Sequence, residues 1–368
     1  MHGRIAARLA LAGALSLQAC RGGHGERAND VRRGAGVAEP VVHRLGTIDL
    51  TENDTAYLGR PAALSVDPED GSLYVTDAFW GRVLRFSPSG ALVRMYGRRG
   101  EGPGELKSPG TVEVVDSAVV VLDVNRLTRY AREDGRFLGS TRFSGTLTSL
   151  RPLRGRLWMA GLNLAQHASL ATWAPGEGAV RALGTIPPQF TESEPLAGIY
   201  TGAELAVWGD TVLVGYEGLN RLTLFHTDGR PIRALSVPVR ARKGELPNVV
   251  EAMKHLDFPG QFSANSVLFR LERMPSGNFA LVHYDQMIEG DLITARVFLS
   301  LLAPDFSRAC VDREIPVSRD AQPYTAFRGD TLYVVQQQVS GERSKTLVDR
   351  WLIDELACPG VPARTAKN

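Results

Sequence analysis

The sequence predicts an all-β protein, a six-bladed β-propeller with four antiparallel strands per blade, on three observations. A hairpin unit recurs: RVLRFSPSGALVRMYG at 82–97, RLTRYAREDGRFLG at 126–139 and RLTLFHTDGRPIRAL at 221–235 each pair an alternating strand with a polar, glycine-bearing turn and a second strand. With a weaker copy at 172–184, the turn glycines Gly90, Gly135, Gly178 and Gly229 lie 45, 43 and 51 residues apart, the spacing of propeller blades. Two further strand patterns precede each hairpin, so each period holds four strands.

Taken from the N-terminus, residues 1–19 carry Arg4 and Arg8 ahead of a short apolar stretch from Leu9 to Leu17. That stretch is too short to span a bilayer as a mature helix and reads as an export signal. Leu17-Gln18-Ala19-Cys20 resembles the lipobox of bacterial lipoproteins. The resemblance implies Cys20 as the first mature residue, lipidated on its sulfur and acylated on its amino group; several acyl chains anchor stably where one does not. An ordinary secretory signal with a chance Cys is the alternative. Residues 20–40 hold almost nothing apolar and are expected to be a flexible tether.

Residues 41–50, VVHRLGTIDL, read as an outer strand without a blade of its own. They are expected to complete the sixth blade, closing the ring and removing a free edge. The six blades are expected at 61–97, 108–140, 145–185, 202–237, 264–317 and 322–356, within a propeller spanning 41–358 and followed by a short tail at 359–368. With Cys20 lipidated, Cys310 and Cys358 remain as a candidate disulfide, two free buried thiols being the alternative. The bridge would close a loop of 48 residues, worth about 4 kcal/mol of chain entropy.

Composition agrees with this reading. Gly (38) and Pro (21) make about a sixth of the 368 residues, as turn-dense β structure needs. The 42 basic and 40 acidic residues nearly cancel, which points away from nucleic acid and from anionic membrane surfaces.

The first blade resembles an NHL repeat, carried by Pro61, Val66-Asp67, Gly71, Leu73-Tyr74-Val75-Thr76-Asp77, Arg82-Val83, Phe86 and Gly90, and by the glycine-rich connection from Gly97 to Leu106. Tyr74 to Asp77 is also similar to the YWTD repeat. The resemblance fades along the chain, and the whole is similar to the broad group of bacterial six-bladed propeller lipoproteins. The acid–arginine pairs Asp77/Arg82, Asp123/Arg126 and Glu217/Arg221 recur around the loop between a blade's second and third strands. They are read as structural pairs that hold the hairpin.

Function is expected on the face shared by the inter-blade loops and the second-to-third strand loops, because the long loops fall there, at 97–108, 186–201, 238–263 and 285–294. Candidate contacts on that face are Phe79, Trp80, Arg98, Arg99, Tyr216, Tyr284 and Asp285. PNVVEAMKHL at 247–256 predicts a short helix from Pro247, with Val250, Met253 and Leu256 on one side, as a lid or as packing on the face. Similar six-bladed enzymes, gluconolactonases and peptidyl-hydroxyglycine amidating lyases, hold a metal in the central channel. Here the first-strand starts offer Arg60, Ser108, Thr146, Gly202, Asn265 and Tyr324, with only Glu113 and Glu204 nearby as carboxylates. No metal site, catalytic set or cofactor is assigned. The expectation is a monomeric binding or scaffold module, held to the cell envelope by its lipid alone, with a protein, peptide or glycan partner. A metal-assisted lyase or lactonase is the alternative.

Overall fold

The computed structural model describes residues 29–30, 32–33, 39–51, 57–289, 292–317, 323–340 and 343–355. Its strands form six separate sheets whose innermost strands stand side by side around one axis, the last against the first. Blades 1 to 6 run over 61–96, 109–142, 146–183, 203–236, 266–315 and 324–354. Every bound lies within two residues of its expected position.

The packing explains why no blade stands alone. The buried apolar side chains fall into six clusters, each spanning a junction between neighbouring blades. Val66, Val75 and Leu84 of blade 1 meet Ala326, Val335 and Val348 of blade 6. Tyr74 and Tyr96 of blade 1 meet Val121 and Tyr130 of blade 2. Strands buried on both faces explain runs such as Leu73–Asp77, in which every residue is buried.

The ring closes as expected. Val41–Asp49 is the outer strand of blade 6, antiparallel to Arg343–Asp354 from Asp354↔Val41 to Leu347↔Asp49. The chain then crosses to blade 1, where the Thr51 N–H donates to the Gly90 carbonyl at 2.8 Å. Gly90 sits at φ +92°, and a Cβ there would lie 2.0 Å from the Asp49 carbonyl oxygen. The repeat's first turn glycine is thus fixed by closure as well as by turn geometry.

Three expectations need correction. Residues 29–30 and 32–33 are not free tether: Asn29–Asp30 pairs in parallel with the outer strand of blade 4, and Arg32–Arg33 with that of blade 5. Those outer strands expose unpaired backbone, which a polar segment can cap without any apolar side chain. Glu39 adds ion pairs to Arg240 (2.9 Å) and Arg313 (3.4 Å).

Of the loop expected at 285–294, residues 285–289 and 292–294 are strand. Phe279–Glu289 and Leu292–Leu302 pair up to Glu289↔Leu292, because alternation continues through buried Gln286, Thr294 and Ala295. Together with Thr331–Ser340 and Arg343–Asp354, which pair up to Ser340↔Arg343, this makes two long neighbouring hairpins that extend past the first strands of blades 5 and 6 on the loop face.

The helix expected from Pro247 begins at Val249, since Asn248 adopts a left-handed conformation at its N-cap. Val249 and Met253 are buried, and Val250 and Leu256 pack on the same cluster, so the segment is packing rather than a lid. Gln189–Glu192 and Glu194–Ile199 cover the same side, the latter capped by the Ser193 hydroxyl, which accepts from the Leu196 N–H at 3.2 Å.

Cys310 is fully buried and disulfide-bonded. Cys358, Cys20, the segment 1–19 read as an export signal and the tail expected at 359–368 lie outside the described residues. Among the described residues no helix is long and apolar enough to cross a membrane.

Candidate functional site

The acid that recurs at or just past the end of the second strand in blades 1, 2 and 4 has one geometric task. Asp77 accepts the N–H groups of Gly59 (3.0 Å) and Arg60 (3.1 Å), where the chain enters the first strand of its own blade. Asp123 accepts those of Lys107 and Ser108 (2.7 Å), and Glu217 accepts that of Gly202 (2.9 Å). In blade 5, Asp285 accepts from the Lys243 N–H (2.9 Å) and the Ser266 hydroxyl (2.5 Å). A buried carboxylate thus satisfies otherwise unpaired donors of the inter-blade loop, which is why the residue type recurs at the blade period.

The arginine partners differ. Arg126 pairs with Asp123 at 3.0 Å and also donates to the Glu105 carbonyl, tying down the loop that precedes blade 2. Arg82 lies 3.6 Å from Asp77. Arg221 does not complete the third pair, because the Glu217 carboxyl turns away to the Gly202 amide.

The candidate face divides in two. Phe79 and Trp80 are 48% and 36% exposed and form an edge-to-face cluster with Tyr57, itself 41% exposed. The Arg82 guanidinium lies 5.8 Å from the Trp80 ring centroid. Arg99 donates to the Phe79 carbonyl at 2.9 Å, and the exposed Arg98 pairs with Glu105 at 3.0 Å. These four predicted residues therefore form one surface beside blade 1.

Tyr216, Tyr284 and Asp285 do not join it; all three are buried. Tyr216 ends its second strand and Tyr284 and Asp285 lie within theirs, where side chains face the neighbouring blade or the loop amides. Tyr216 donates to the Ser169 hydroxyl at 3.2 Å and packs on Phe190, while Tyr284 stacks on Phe269 with ring centroids 4.2 Å apart.

The chemistry missing from the sequence reading lies on the axis. At its loop-face end is a cavity of about 200 Å³ lined by the first strands of all six blades and by Glu217. Its walls include Leu64, Val112, Leu147, Ser149, Glu204, Phe269, Arg270 and Tyr324.

Below it runs a charged plug. Arg151 Nη1 donates to Glu113 at 2.7 Å, and Nη2 stands 3.2 Å from Glu272 and 3.9 Å from Glu204. Arg270 adds contacts to Glu113 (3.5 Å) and Glu272 (3.2 Å), and the Ser65 hydroxyl donates to Glu113 at 3.0 Å. Arg151, Arg270 and Glu272 escaped sequence reading because they sit in the later halves of first strands. A lone charge within an otherwise uncharged strand, as in TLTSLRPL, was the available signal.

This axial set holds four carboxyls and two guanidiniums, and the guanidiniums engage Glu113 and Glu272 most closely. Burial pushes the Glu204 carboxyl up to about 8, against the pull of Arg151 and Arg270. Burial also raises Glu217 to about 7, opposed by the Gly202 amide. Glu204 Oε2, Ser149 Oγ and Arg270 Nε, all in the cavity wall, have no hydrogen-bond partner among the described residues. A proton on folded Glu204 is retained where an unfolded glutamate has lost it. Stability is therefore expected to fall as pH rises from about 4.5 towards 8. Urea denaturation across that range should show a flatter profile for Glu204→Gln.

The described residues do not fit a metal centre: no group of three or more His, Cys, Asp or Glu stands close enough to share an ion.

No family model matches the chain. Mouse peptidyl-glycine alpha-amidating monooxygenase is 32% identical over 93 residues, covering 25% of this chain and 9% of that protein. The rat protein matches to the same extent. The chain thus spans under a tenth of the length of these curated relatives. Among solved structures, a member of the DUF4221 family from Bacteroides vulgatus superposes with TM-score 0.63 at 12% identity, over 87% of this chain and 99% of that one. A Bacteroides fragilis protein named for presumed export gives 0.58 at 11% identity, over 89% and 100%. At such identities the likeness is one of fold.

Proposed function

We propose that this chain is an exported, lipid-anchored binding propeller of the bacterial envelope, whose loop-rich face receives a protein, peptide or glycan partner. The observation that carries the reading is the axial cavity, which opens the centre of that face into a pocket whose wall holds unpaired buried polar atoms. Buried polar groups are normally satisfied, and a bound molecule is one way to satisfy them. The exposed cluster of Tyr57, Phe79 and Trp80 supplies aromatic anchors on the same face. The presumed export of a fold neighbour is consistent with the signal and lipobox read from residues 1–20.

Two experiments test the reading. Cys20→Ser is expected to move the protein from the membrane fraction to the soluble fraction; retention in the membrane would contradict the anchor. A photo-crosslinking residue at Phe79 or Trp80 is expected to capture a partner in intact cells, and one at Asp116 or Arg154, in turns of the opposite face, to capture none. The reverse pattern would refute the face assignment.

The match to amidating monooxygenases supports a second reading, a metal-assisted lyase or lactonase. Among the described residues no group of three or more His, Cys, Asp or Glu stands together to hold such a metal, and Glu113 and Glu272 are engaged by arginines.

A further inference from the structure

We infer that the axial cavity binds an alkylammonium group, carried either by a small amine or by a lysine side chain of a peptide. The inference rests on the cavity being the binding site and names the chemistry it takes. Four observations carry it. The axial set has more carboxyls than guanidiniums, and the two guanidiniums are held by Glu113 and Glu272. The remaining acids, Glu204 and Glu217, both line the cavity. Glu204 Oε2 accepts no hydrogen bond from the described residues, although Arg151 stands 3.9 Å away. Phe269 and Tyr324, edge to face at 5.8 Å, add aromatic walls that favour a cation, while Leu64, Val112 and Leu147 suit an alkyl stem.

An anion would meet two further acids, and a neutral ligand would leave their charge uncompensated once ionised. An ammonium group gives Glu204 Oε2 a donor and balances the surplus charge. Mutual repulsion and burial resist ionising these acids in the empty cavity, so a cation should bind together with proton release. Affinity therefore rises with pH. The groups that set this dependence are Arg151, Arg270, Tyr284 and Glu217 around Glu204, and Tyr200 around Glu217.

The test uses the whole soluble Cys20→Ser chain with n-butylammonium, n-butanol and butyrate, read by calorimetry and by saturation-transfer NMR on the probe. Butylammonium is expected to bind at about pH 8.5 at least tenfold more tightly than butanol or butyrate, and at least tenfold more tightly than at about pH 5.5. Glu204→Gln and Glu217→Gln are each expected to weaken it severalfold. The charge series on unsubstituted cavity residues keeps the test valid if a variant fails to fold.

Equal or tighter binding of butanol or butyrate would overturn the ammonium assignment while leaving a binding cavity. Binding of calcium ion with none of butylammonium would do the same. Failure of every probe would overturn the cavity reading itself. An acetyl-Gly-Lys-Gly-amide peptide distinguishes the sources: tighter binding than butylammonium assigns a polypeptide lysine, and weaker binding a small amine.

Discussion

Arg151→Met is expected to lower the unfolding free energy by about 3–5 kcal/mol, the scale for breaking a buried ion pair from one side. Arg151 is almost fully buried and is the hub of the plug, reaching Glu113, Glu272, Glu204 and the Leu150 carbonyl. Methionine matches its stem but leaves three carboxyls facing Arg270 alone. Part of the strain will be relieved by protonation, so the loss should be larger at pH 8 than at pH 5. The double variant Arg151→Met with Glu113→Gln should recover a measurable part of it. Urea denaturation reads all three quantities. A loss below about 1 kcal/mol would mean that the plug behaves as a screened surface pair.

A chain beginning after Thr51 is expected to lose cooperative folding. It lacks the outer strand of blade 6 and with it the backbone pairs from Asp354↔Val41 to Leu347↔Asp49. Ile48 and Leu50, both buried, go too, at about 1.5–3 kcal/mol each. The uncovered Arg343–Asp354 strand becomes a free edge and a route to aggregation. A chain beginning at Val41 retains the closure and should stay monomeric and cooperative. Size exclusion and denaturation compare the two. Equal stability would show that the ring does not depend on its N-terminal strand.

Much of the fold was legible because propeller blades repeat their constraints. Asp77, Asp123 and Glu217 each cap an inter-blade loop, and Gly90, Gly135 and Gly229 each turn a hairpin at positive φ. Local rules therefore leave a periodic trace. The site was less legible. Whether a strand-end side chain faces solvent or the next blade depends on packing across blades, so Phe79 and Tyr216 read alike although one is exposed and the other buried. The axial plug assembles residues from blades 1 to 5, which are far apart in sequence, and no local spacing links Ser65 to Arg151 or Glu272. The pairing of residues 29–30 and 32–33 was invisible because it joins open backbone edges, which no side-chain pattern in the blade period marks.

Native mass spectrometry of the protein, isolated gently from its own cells, tests most directly whether the loop-face end of the axis is where this propeller binds. A small-molecule or peptide adduct retained by the natural chain and absent from the Glu204→Gln, Glu217→Gln double variant is the expected result. An adduct that survives that double substitution, or no adduct on either chain, would contradict it.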